Sequence, residues 1–162
     1  MKENIKLILG TMTFGEQVFG EDVKCMVQSY LNHGYKELDT AYVYNEGECE
    51  RLLGTALKEL DRDTYKVATK ANPRITGRLD KEAVISQLNE SLQRLKVNYV
   101  DTLYLHFPDP ATPVKSVLEG CAQLYEEGKF LELGLSNFPA WLVAEVWHIC
   151  KSHGWMLPKV YE

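Results

Sequence analysis

Asp39, Tyr44, Lys70 and His106 each stand at or just beyond the end of a short apolar run, and together they supply an acid, a phenol, an ammonium and an imidazole. A free tyrosine titrates at about 10 and a free lysine at about 10.4. A positive charge beside a phenol favours phenolate, so Lys70 is expected to draw the Tyr44 pKa down toward neutrality. Asp39 is expected to keep that lysine charged and fixed. Tyr44 then becomes a usable proton donor, and His106 a hydrogen-bond partner for the same substrate oxygen. Such a group suits protonation of an oxyanion as it forms, as in reduction of a carbonyl by hydride. No side chain supplies hydride, so a cofactor must. Ser136 and Asn137 add a hydroxyl and an amide at the end of a further run.

Singly, each residue has a plainer reading. A lysine or aspartate at a strand end is usually just solvated, and His106 alone reads best as a core-edge histidine bonded to a carbonyl. Ser136 and Asn137, just before Pro139, suit a helix cap. Tyr42 reads as a packing residue. Only the combination at successive strand ends argues for a site.

Those ends are set by a repeat. Apolar runs at 5–10, 36–40, 65–70, 100–106, 129–136 and 158–161 alternate with patterns of helical period at 21–33, 48–60, 80–96, 114–127 and 140–152. In the third pattern Val84, Leu88, Leu92 and Leu95 form one stripe, with Asp80 placed to start the helix. Gly34, Gly128 and Gly154 fall where helices should stop. Strand starts recur about every 30 residues, which predicts a parallel sheet with right-handed crossovers. An open dinucleotide-binding sheet would carry GxGxxG after its first strand, and "LGTMTFGEQVFG" lacks that spacing. The α/β expectation is therefore a (β/α)8 barrel, incomplete: about six strands and five helices in one partial domain over 1–162. A full barrel needs roughly 250 residues, so two βα units are expected to be missing. Chemistry in barrels gathers at the carboxyl ends of the strands, where the candidate residues lie.

The wording of these segments resembles the aldo-keto reductase family. "LDTAYVY" matches its D-x-A-x-x-Y segment and "ECERLLG" its E-x-x-L-G helix start. "SLQRLKVNYVDTLYLH" resembles its helix-strand signature ending in histidine, and "EGKFLELGLSNF" its G-x-S-N segment. "VATKANP", "YLHFPD" and "CKSHGWMLPKVY" are most similar to the aflatoxin aldehyde reductase branch. The resemblance implies a catalytic tetrad of Tyr44 as general acid, Asp39 and Lys70 as its tuning pair, and His106 as the group orienting the substrate carbonyl. It also implies that Asp39 meets the nicotinamide ribose, that Ser136 and Asn137 hold the carboxamide, and that Thr11 and Met12 line the cleft. The implied cofactor is NADPH and the implied substrates are small aldehydes, ketones and dicarbonyls.

Relatives of this kind continue after "VY" with a glutamine that meets the nicotinamide, whereas Glu162 stands here. Without the last strands, which carry the phosphate-binding loops, the chain alone is expected to bind NADPH weakly and to expose two sheet edges and an apolar inside. Those edges suggest pairing with a like or related chain. The family also contains non-catalytic members, potassium-channel β subunits and a ligase regulatory subunit, so an interaction role is the alternative. The channel branch usually lacks the histidine found at 106, which counts against it.

Composition bounds the rest. The 162 residues are 45% hydrophobic and 25% charged, enough for a real core. A net charge of −5 with no basic stripe argues against nucleic acid or an anionic membrane as partner. No apolar run approaches the roughly 20 residues of a membrane helix. The four cysteines, Cys25, Cys49, Cys121 and Cys150, form no CxxC pair and read as free cytosolic thiols, so a cytoplasmic protein without a metal is expected. Glu48 and Glu50 should hold Cys49 as a thiol.

Overall fold

The computed structural model describes residues 6–162. Six strands, β1 (Ile8–Gly10), β2 (Glu37–Asp39), β3 (Lys66–Ala71), β4 (Val100–Leu105), β5 (Phe130–Leu135) and β6 (Pro158–Tyr161), pair in chain order, and every pair is parallel. Between them run α1 (Gly20–Asn32), α2 (Glu48–Leu57), the one-turn α3 (Pro73–Thr76), α4 (Lys81–Leu95), α5 (Val114–Glu126) and α6 (Ala140–His153). This is a half-barrel with the alternation expected from the sequence. Ile5, placed in the first strand by its apolar character, lies outside the described residues.

The strand period of two sorts side chains between two faces. The register row Thr69, Leu103 and Leu133 is buried against the helices, continuous with Leu38 and Val67. The alternate row, Lys70, Tyr104, Gly134 and Val160, faces the concave side. Gly134 is required there by close approach, since a Cβ would lie 2.4 Å from the Tyr104 ring. The concave side encloses a hollow of about 620 Å³. Its lining is mostly apolar, as expected above, with acidic groups set among the apolar ones. Ile8 and Val160 share it with Glu37, Asp101 and Glu132, and the strand-borne acids find cations nearby: Glu37 pairs with Lys6, and Glu132 with Lys159 at 3.4 Å. Among the described residues β1 and β6 each have one unpaired side, flanked by exposed Ile8 and Tyr161.

Helix ends follow local chemistry. The Asp80 side chain accepts the Ala83 N–H at 3.0 Å, capping α4, whose stripe of Val84, Leu88, Leu92 and Leu95 is buried. Asp80→Ala should cost about 1 kcal/mol of stability, read by urea unfolding. Gly34, Gly128 and Gly154 all stand at positive φ just past helix ends, as their spacing predicts. α2 stops at Leu57, earlier than its pattern, because Lys58 and Leu60 bond back three residues and tighten the chain into a turn. α3 was not foreseen; Pro73 starts it, and the Asn72 side chain caps it through the Arg74 N–H. All three tryptophans fall on α6 or just after it, at 141, 147 and 155. Among the described residues no helix is long and apolar enough to cross a membrane.

Candidate active site

The carboxyl ends of β2, β3, β4 and β5 bring Asp39, Lys70, His106 and Ser136 to one rim. The Lys70 side chain is fully buried there, and its ammonium donates to Asp39 Oδ1 at 2.5 Å and to the Thr40 carbonyl at 3.2 Å. Its third neighbour is Glu162, with Oε2 at 3.5 Å. Two phenol rings flank it, their centres 5.3 Å away for Tyr44 and 5.4 Å for Tyr104. Thr11, fully buried, bonds the Asp39 carbonyl through its N–H and its hydroxyl, so it braces the strand end and does not line an opening. Met12 is exposed.

Tyr44 stands half-buried, its ring edge-on to His106 with centres 6.1 Å apart. The expected lowering of its pKa does not hold. Burial raises the phenol and outweighs the pull of Lys70, while Asp39 and Glu162 push the same way as burial. Tyr44 therefore keeps its proton at neutral pH. Asp39 is likewise raised, by burial against the opposing pull of Lys70. Glu162→Gln should lower the Tyr44 pKa, read as the difference between absorbance titrations with and without Tyr44→Phe. An unchanged value would mean that the carboxylate is not felt.

His106 is fixed by Asn72, a residue the sequence did not single out. The Asn72 Oδ1 accepts the Arg74 N–H at 2.9 Å, which turns its amide nitrogen toward His106 Nδ1 at 3.2 Å. Nδ1 must accept, so the ring proton sits on Nε2 and is free to donate. The Gln87 side chain grips the Asn72 backbone at both its N–H and its carbonyl. Burial, then Lys70 and Arg74, lower His106 to about 4. This folded value lies below the unfolded value of 6.5, so the group's stabilisation is complete above 6.5 and is lost as pH falls toward 4. His106→Gln should flatten unfolding free energy against pH across that window.

Ser136 is buried and Asn137 exposed at left-handed φ 60. They do not cap α6, whose N-cap is Pro139 with no side-chain bond. The Asn137 amide donates to the His106 carbonyl at 3.0 Å and to Ser136 Oγ at 2.9 Å. That leaves the Ser136 O–H and Asn137 Oδ1 without partners among the described residues, the complement of a primary carboxamide.

Tyr42 packs under Arg94, its ring centre 4.6 Å from the guanidinium. Cys49 donates to the Phe14 carbonyl, and burial, then Glu16, Glu50 and Glu48, lift its thiol to about 11. Cys121 and Cys150 are also raised by burial, and all three are inert as thiols. Among the described residues no group of His, Cys, Asp or Glu is arranged to hold a metal.

A parallel sheet wound with helices, carrying its polar cluster at the carboxyl ends of the strands, defines a protein of (β/α)-barrel class, here with six of the strands. The chain belongs to the aldo/keto reductase family, whose sequence model matches residues 6–162. Aflatoxin B1 aldehyde reductase member 2 of Rattus norvegicus is 46% identical over 157 residues, 96% of this chain and 43% of the relative. A thermostable aldo-keto reductase solved with the inhibitor epalrestat superposes with a TM-score of 0.77 at 29% identity, over 90% of this chain and 54% of that one. An aldo-keto reductase from Klebsiella pneumoniae, solved with NADPH, gives 0.76 at 28% identity, over 87% and 48%. The chain spans less than half the length of the rat relative.

Proposed function

We propose that this chain carries the proton-donating half of an NADPH-dependent reductase of aldehydes and ketones, cytoplasmic and acting as one domain over 1–162. The observation that carries this reading is the buried Lys70 ammonium between the Asp39 carboxylate and the Tyr44 ring, with a neutral His106 beside it. Asp39, Ser136 and Asn137 would hold the nicotinamide end of the cofactor, for which the free hydroxyl and amide oxygen of Ser136 and Asn137 are suited. NADPH, when bound, supplies hydride to the carbonyl carbon. His106 Nε2–H orients the carbonyl oxygen, and Tyr44 Oη gives it a proton. Lys70 stabilises the phenolate left on Tyr44, and Asp39 keeps the ammonium in place.

A hybrid joining this chain to the carboxyl-terminal half of the rat relative tests the reading. It should consume NADPH only when an aldehyde such as phenylglyoxal is present. A folded hybrid that binds NADPH and shows no aldehyde-dependent consumption overturns it. The edges of β1 and β6, unpaired among the described residues, support association with a like or related chain. Light scattering of the isolated chain should give a mass above one copy, and a monomer at all concentrations removes that part.

A further inference from the structure

Glu50, from the E-x-x-L-G segment, is fully buried in the first turn of α2 and takes no part in the chemistry above. Its Oε1 accepts the Thr69 hydroxyl at 2.6 Å, and Thr69 precedes Lys70 in β3. Its Oε2 accepts Arg94 Nε at 2.6 Å, from the last turn of α4. Arg94 also meets Ser91 Oγ at 3.2 Å and Glu90 at 3.6 Å. The far side of its guanidinium covers the Tyr42 ring.

Tyr42 and Gly47 bracket Tyr44, and the Gly47 N–H closes this loop on the Tyr42 carbonyl at 2.6 Å. Inside it Asn45, Glu46 and Gly47 are left-handed in succession, at φ 50, 51 and 83. Left-handed backbone is strained for residues other than glycine and persists only where neighbours hold it. Arg94 closes on the third of them, since a Cβ on Gly47 would lie 2.9 Å from Arg94 Cδ and 3.1 Å from Tyr42, while Asn45 lies against Gly15. A buried ion pair is weak ground for stability, since apolar replacements of like volume often serve as well. One carboxylate here ties the strand of Lys70 to the arginine that grips the loop of Tyr44.

We propose that Glu50 and Arg94 are positioning residues that set the spacing between Tyr44 and Lys70, through Thr69 on one side and Tyr42 with Gly47 on the other. The proposal rests on the reading of Tyr44 as proton donor, but its test needs neither cofactor nor substrate. The quantity to measure is the change in the Tyr44 pKa caused by Lys70→Met, with Tyr44→Phe in each background isolating the Tyr44 signal. In the wild-type background Lys70→Met should raise that pKa. In Glu50→Gln and Arg94→Met backgrounds the change should fall by about half, because charge coupling weakens with distance. Arg94→Lys keeps a cation on Glu50 but loses the flat stack on Tyr42, and should keep an intermediate coupling. A wild-type coupling in these backgrounds, with only the melting temperature lowered, marks a structural pair and overturns the proposal. Where Arg94→Met or Glu50→Gln fails to fold, Arg94→Lys and Thr69→Val carry the same reading, and wild-type coupling in both overturns it. An inactive hybrid whose Tyr44–Lys70 coupling still falls in the Glu50→Gln and Arg94→Met backgrounds overturns the reductase reading and leaves the positioning role standing.

Discussion

Tyr44→Phe should lower the rate of carbonyl reduction by the hybrid about a hundred- to ten-thousand-fold while leaving its fold and its affinity for NADPH unchanged. The substitution removes one oxygen. The ring that stands edge-on to His106 and 5.3 Å from the Lys70 ammonium is kept. What disappears is the proton that Tyr44 holds at neutral pH, since burial raises its pKa above the ordinary value. The lysine does not make the tyrosine acidic in the resting site; in the proposed mechanism it would stabilise the phenolate once the proton has left. Single-turnover rates of NADPH oxidation separate chemistry from binding. A loss of less than about tenfold would mean that water or another group delivers the proton, and the assignment of Tyr44 would fail.

Lys70→Met should be the most damaging change to stability at this rim, costing about 3–5 kcal/mol by urea unfolding at neutral pH. Methionine fills the buried stem but leaves Asp39 with neither its 2.5 Å donor nor any counter-charge, and leaves the Thr40 carbonyl without its donor. Glu162, formerly 3.5 Å from the ammonium, then adds repulsion. The sign with pH follows from Asp39. Its folded pKa already lies above the ordinary 3.8, and the loss of Lys70 lifts it further. The folded variant therefore holds a proton that the unfolded chain releases, so stability falls as pH rises from about 3.8 through the raised value. The variant should be least impaired in acid, and Asp39→Asn in the same chain should recover much of the loss. A loss independent of pH would show that Asp39 does not depend on Lys70.

The parts of this fold that could be read from sequence are those written locally. Alternation within the β3 and β4 segments marks strands, and the stripe from Val84 to Leu95 marks α4. Asp39, Lys70, His106 and Ser136 reach one rim because the parallel repeat carries each strand end to the same side. Other features depend on who meets whom. Burial of the Tyr44 phenol reverses the expected pKa shift, and no spacing in the chain encodes burial. Asn72 orients His106 across 34 residues, and Arg94 reaches Glu50 across 44. The one available signal for Asn72 was its place, directly after the third strand and before Pro73. The mostly apolar hollow also holds acids, because concave residues such as Glu37 and Glu132 alternate with buried leucines, a pattern visible in "KELDT".

The crowding of all three tryptophans onto α6 and the turn after it makes intrinsic fluorescence a regional probe. Trp141 lies in the first turn of the helix, 68% exposed, and Trp155 follows its end at Gly154. Emission reports the last α6–β6 unit, whereas far-ultraviolet circular dichroism averages every helix. Coincident unfolding curves from the two signals would mark one cooperative body. A fluorescence transition at lower urea would show the sixth strand peeling away while the rim that carries Asp39, Tyr44 and Lys70 still stands.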